Sequence, residues 1–172
     1  MFLRAVNVGG RKYPMADLRA VLTEAGYEQV ETHIQTGNVR LTSPTRSRAK
    51  LESALEELFE NDRGFTVGVV AFTPRELAQV ARDATELGEA SPAAYGHYVS
   101  LLKDTPSAKA VADLEALSRE GERVVVRGRA VHLLYDVPYH VAKTSNAAVE
   151  KVAGIATNRN AKVVHALCAK WC

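Results

Sequence analysis

The chain predicts an α+β protein built from two similar halves, and three observations carry that expectation. Short segments alternate apolar and polar residues, the stretches between them repeat apolar residues at helical spacing, and the second half follows a segment order resembling the first. With 172 residues and 47% apolar content, the chain can bury a real core in one domain or two small ones.

Residues 2–8 read as a first strand, apolar and closed by Gly9-Gly10. Pro14 suits a first helical position, and Met15, Leu18, Val21, Leu22 and Ala25 recur at helical spacing up to Gly26. From Gln29 to Gln35 the pattern alternates, with Val30, Thr32 and Ile34 facing the helices and Glu31, His33 and Gln35 facing away. Thr36-Gly37 signals a tight turn, and Val39 to Thr42 resumes the alternation. Leu51, Ala54, Leu55, Leu58 and Phe59 form the stripe of a second helix, and Phe65 to Phe72 is a β-branched run. The order β-α-β-β-α-β is that of the ferredoxin-like split βαβ.

Thr73-Pro74 opens a further helix with Leu77, Val80, Ala81, Ala84 and Leu87 on one face, and Gly88 to Ala94 reads as a linker. A strand over Tyr95–Lys103, a helix carrying Val111, Leu114 and Leu117, a hairpin of 123–127 and 130–136, and a helix near Ser145–Val152 follow. Thr157-Asn158-Arg159-Asn160 then introduces a last helix, so the second half is expected to read β-α-β-β-α-α. The expected organisation is 1–73 as an N-terminal ferredoxin-like subdomain, 74–94 as a linking helix and linker, and 95–172 as a C-terminal α+β subdomain.

In the ferredoxin-like order 4-1-3-2 every neighbour is antiparallel. The end of the first strand, the end of the second and the start of the third then share one edge. Asn7, Gly9 and Gly10 come beside Gln35, Gly37 and Asn38, next to the N-terminus of the first helix. Its free N–H groups, with Arg11 and Lys12, suit a phosphate or carboxylate. Arg4 or Lys12 would supply the counter-charge. The competing reading gives the glycines to two turns and the amides to loop backbone groups. A second polar cluster gathers Lys143, Asn146, Arg159 and Asn160 near two helix starts. There Ser145 and Thr157 or Asn158 are candidate caps.

Several functions are excluded by what the chain lacks. It has no run of roughly 18 apolar residues and no basic-then-apolar leader, so a soluble cytoplasmic protein is expected. There is no G-x-G-x-x-G, no G-x-x-x-x-G-K-[ST], no G-x-S-x-G, no H-E-x-x-H and no C-x-x-C. No cofactor or metal is therefore expected. The five histidines are scattered, and Cys168 and Cys172 lie four apart with no matching pair. Residues 95–172 carry 11 basic and 7 acidic side chains, far below the density of a nucleic-acid binder, and the third strand offers Arg40 and Thr42 where RNA-binding sheets offer aromatic rings.

Three readings remain. The leading one is a non-catalytic module binding a small anionic or amide-bearing ligand at the Asn7–Gly10/Gln35–Asn38 edge. The second is an enzyme acting on a phosphorylated or acyl substrate, with Lys143 and Arg159 holding it and His33 or Asp136 as acid or base. The third is an interaction protein whose open sheet face meets a partner or a second copy, giving a homodimer.

The same segments resemble the bacterial family known as domain of unknown function 1697. The likeness rests on R-x-x-N-V-G-G at Arg4–Gly10 and T-x-I-Q-[ST]-G-N-V at Thr32–Val39. It continues with K-T-[ST]-N at Lys143–Asn146 and a T-x-R-N segment at Thr157–Asn160. The resemblance implies two α+β subdomains and no known activity. The family pattern places tryptophan after the Arg-Asn pair. Ala161 stands there, so a role requiring that ring is not open to this chain.

Overall fold

The computed structural model describes residues 1–91 and 95–172. They form two compact units, Met1–Ala71 and Phe72–Cys172. The first runs β1 (Phe2–Arg4), α1 (Met15–Glu24), β2 (Glu28–His33), β3 (Asn38–Thr42), α2 (Arg48–Arg63) and β4 (Gly68–Val70). Its sheet has the order β2-β3-β1-β4 with every pair antiparallel, as the sequence predicts.

The helices of this unit cover one face of the sheet. Met15, Leu18 and Leu22 of α1 meet Leu55 and Phe59 of α2 over Leu3, Val39 and Val69. Tyr13 enters the same core, its ring edge-on to Phe59 with centroids 5.6 Å apart. Burying side chains of this size contributes about 1.5–3 kcal/mol each. Ser47 caps α2 by accepting from the Lys50 N–H, and Gly64 ends it at φ +71°.

Two expectations for this unit need correction. β1 ends at Arg4 rather than residue 8, because Ala5 and Asn7 take φ values of +58° and +57° and leave the ladder. Ile34 does not face the helices: β2 stops at His33, and Ile34 sits at φ +50° and is exposed.

The second unit opens with α3 (Pro74–Ala90), started by a capping box between Thr73 and Glu76. β5 (Gly96–Leu102), α4 (Ala108–Glu115), β6 (Glu122–Arg127), β7 (Ala130–Tyr135), α5 (Asn146–Ala153), β8 (Ala156–Asn160) and α6 (Ala161–Trp171) follow. The sheet order β6-β7-β5-β8 repeats that of the first unit, again all antiparallel. Of the expected 88–94 linker, α3 takes the start through Ala90, and residues 92–94 lie outside the described residues.

The β-α-β-β-α-α reading of this half is overturned by β8. Residues 156–160 pair with β5 from Leu102↔Ala156 to Tyr98↔Asn160. The strand lacks apolar alternation because its buried positions are Ala156, Thr157 and Arg159, two of them polar, and Asn158 bonds the Ser100 hydroxyl at 3.0 Å. A polar strand of this kind gives no hydrophobic period to read.

Helices flank both faces of the second sheet. Val124, Val126, Leu133 and Tyr135 join the core with Leu114 of α4 and Val149 of α5, while Val125 and Leu134 point the other way and pack with Leu87 of α3. α3 also packs on α6. All six residues of β7 are buried as a result.

Candidate functional site

The loop between β1 and α1 is shaped by one side chain. Asn7 accepts from the Tyr13 N–H at 2.8 Å and donates to the Tyr13 carbonyl at 3.1 Å, closing residues 8–12 into a loop. Its amide donates again, at 2.7 Å, to the carbonyl of Gln35. The backbone adds Asn7 N–H to Arg11 O at 2.7 Å and Arg11 N–H to Val8 O at 3.1 Å. The R-x-x-N motif and the I-Q-T-G-N motif are thus stitched together at one rim of the first sheet.

On the hairpin side the motif residues divide into two kinds. Gly37 has φ +72°, and a Cβ there would lie 2.7 Å from Leu3 Cβ and 2.7 Å from Val6 Cγ2, so no side chain fits. Asn38 is fully buried, and its amide donates to His33 O at 3.1 Å and Thr36 Oγ1 at 3.0 Å. These two hold the turn. The Gln35 side chain is exposed and has no hydrogen-bond partner among the described residues.

Between the stitched segments lies an open cavity of about 490 Å³, lined by Asn7, Val8, Gly9, Gly10, Arg11, Lys12, Pro14 and Gln35. Gly9 and Gly10 have φ +57° and +84° and open space where a Cβ would go, so backbone conformation, not crowding, selects them. Arg11 holds its guanidinium 6.0 Å from the Phe65 ring, and Lys12 has no side-chain partner among the described residues. Arg4, Gly37 and Asn38 do not line the cavity. Ile34, next to Gln35, is β-branched yet left-handed, a conformation that costs about 1–3 kcal/mol.

In the C-terminal cluster, Asn146, Arg159 and Asn160 are engaged in bonds within the second unit. Arg159 is buried on β8, where Nη1 donates to Thr157 Oγ1 at 2.8 Å and Asn158 O at 2.7 Å, and burial lowers its pKa to about 10. Asn160 is the cap of α6, accepting from the Lys162 N–H; the sequence assigned that role to Thr157 or Asn158. Ser145 stands at the start of α5 without a capping bond from its side chain. Asn146 donates to Ala156 O at 3.1 Å, while its Oδ1 is buried without a partner.

Lys143 and Thr144 serve the fold through their backbones. Their N–H groups donate to the two oxygens of Glu122 at 2.9 and 2.6 Å. Burial raises the pKa of this carboxyl, but the donors outweigh it and leave it below the ordinary value. The K-T-S-N motif is therefore a loop anchor on β6.

Two arrangements in the second unit carry no motif. His97 Nε2 and His132 Nδ1 are 3.0 Å apart, and burial drives their pKa values down to about 4 and about 3. Alternation parity was the available signal, since both histidines lie on the α3-facing side of adjacent strands. The other is Arg129 at the β6–β7 turn. Its Nη1 donates to Leu102 O at 2.9 Å and Lys103 O at 3.0 Å, its Nη2 pairs with Glu76 at 3.1 Å, and its Cζ lies 3.9 Å from the Phe72 ring centroid.

Among the described residues, no group of three or more His, Cys, Asp or Glu side chains could hold a metal ion, and no helix is long and apolar enough to cross a membrane.

The fold and rim define a class: a two-unit α+β protein with repeated strand order and a polar, glycine-rich edge on the first sheet. The family model described as a protein of unknown function, DUF1697, matches residues 1–132, and the chain belongs to that family. The match contains the Arg4–Gly10 and Thr32–Val39 motifs. Among solved structures, the chain is similar to the conserved bacterial protein SP0830 from Streptococcus pneumoniae. The identity is 22% and the TM-score 0.73, over 99% of this chain and 95% of that one, a likeness of fold. No curated protein matches.

Proposed function

We propose that the chain is a non-catalytic module that binds a small anionic or amide-bearing ligand at the rim between Asn7–Lys12 and Gln35. The cavity carries this reading. Its volume of about 490 Å³ falls in the range of small-molecule sites, and its lining combines two cations with an amide that the fold does not use. Asn7 and Gly37 build the rim, while Arg11, Lys12 and Gln35 face the ligand. On this reading the protein is a cytoplasmic bacterial one with two units of ferredoxin-like type, and neither nucleic acid nor membrane is its partner.

Inorganic phosphate, acetate and acetamide provide the first test in a thermal-shift series. A ligand at ten times its Kd stabilises the native state by about 1.4 kcal/mol, roughly 3–5 °C for a chain of this size. The double variant Arg11→Ala/Lys12→Ala should keep the melting temperature of the free protein and lose the shift. Asn7→Ala should lose both the shift and about 1–2 kcal/mol of stability, because three hydrogen bonds close the loop through it. Equal shifts in the wild type and the double variant would remove the site from this cavity.

A further inference from the structure

We infer that the ligand of this rim is an amphipathic monoanion, a carboxylate carrying a short hydrocarbon chain. This rests on the cavity being a binding site, as proposed above. The exposed large apolar side chains of the first unit are Val8, 58% exposed, and Ile34, 47% exposed. Both flank the stitch between Asn7 and the Gln35 carbonyl, each one residue away from it in sequence. Val8 lines the cavity itself, with Pro14 beside it in the lining and Arg11 and Lys12 as the cations.

Ile34 strengthens the argument because it is both left-handed and exposed. A β-branched residue at φ +50° is strained, and here it is also turned toward water rather than into a core. Glycine or asparagine would fill the position at lower cost if only the turn mattered. Val8 beside two cations in the lining, with Ile34 next to Gln35 in sequence, fits a ligand with an anionic head and a hydrocarbon part. A bare phosphate would leave Val8 and Ile34 in water. A neutral hydrocarbon would leave Lys12 and Gln35 unpaired.

The test is a chain-length series of acetate, butyrate and hexanoate, titrated by calorimetry or amide chemical shifts, with inorganic phosphate alongside. Each methylene buried in an open cavity should tighten binding about two- to fourfold. In Val8→Ser and in Ile34→Gly, which relieves the left-handed strain and keeps the turn, the gain per methylene should fall toward onefold. Arg11→Ala/Lys12→Ala should abolish binding of the whole series. If acetate and phosphate bind and lengthening the chain gains nothing, the amphipathic assignment falls and the anion site stands. A length gain that survives Val8→Ser and Ile34→Gly, or survives loss of both cations, also overturns it. If none of the four probes binds, the amphipathic assignment falls together with the anion site.

Discussion

The two halves build the same corner and finish it in opposite ways. In the first unit Leu3 N–H donates to Gly37 O at 2.8 Å; in the second, Leu102 N–H donates to Arg129 O at 2.8 Å. The pairings Phe2↔Asn38 and Leu101↔Ala130 put Gly37 and Arg129 at equivalent places after equivalent strands. At Gly37 no side chain fits, and Asn7 ties the rim from the other side, beside a cavity that Gly37 itself does not line. At Arg129 a guanidinium turns back onto the strand carbonyls, with Glu76 and Phe72 completing its surroundings. The residue before the second hairpin strand thus has no side chain in one unit and a fully engaged guanidinium in the other.

The largest effect should come from closing the first corner. Gly37→Ala combines a left-handed φ with a 2.7 Å approach to Leu3 and Val6, and should cost about 3 kcal/mol or more in chemical denaturation. Gly9→Ala, with open space around its Cβ, should cost only about 1 kcal/mol. Equal losses would mean that crowding does not distinguish the two glycines.

Opening the second corner should come next. Arg129→Met keeps the chain's bulk but leaves the Leu102 carbonyl and Glu76 without the guanidinium, a loss of about 2–3 kcal/mol. A melting temperature within a degree of the wild type would show that the plug is dispensable.

Acid sharpens the contrast at the level of whole units. His97 and His132 have folded pKa values of about 4 and about 3 against 6.5. The unfolded chain therefore binds their protons first, and stability is full above pH 6.5 and lost as pH falls toward 4 and 3. Glu76 and Glu122, both held below their ordinary values, add losses further down. For His132 alone the effect should reach about 2–3 kcal/mol by pH 4. All four groups lie in the second unit, so its near-ultraviolet signals should disappear before those of the first, and His132→Phe should flatten the pH dependence. Simultaneous loss of both units, unchanged in His132→Phe, would break the assignment.

Much of the fold was legible because most elements obey a simple period. Leu18 and Leu22 in α1 announce both their element and its buried face. The proximity of Asn7 to Gln35 followed from strand order alone. What escaped was structure made with polar groups. β8 is a strand through its ladder to β5 and the buried Thr157 and Arg159, which no hydrophobic pattern encodes. β1 is short because Ala5 and Asn7 turn left-handed, and the Asn7 side chain bonds the Tyr13 backbone across the loop. The K-T-S-N segment looks like an anion site in sequence, and it contributes N–H groups to a carboxylate 21 residues away. Side-chain chemistry shows which residues carry polarity, but only the folded chain shows whether that polarity is already spent.

β7 lies between β6 and β5, and none of its six residues reaches solvent appreciably. Its amides can exchange with the surroundings only when neighbours on both edges and helices on both faces let go. The second unit must then come apart as one block, a stiff keel in which no small excursion is available. Any give that accompanies capture of a ligand has to be found in the short β1, the bulged β2 and the loops that join them to their helices.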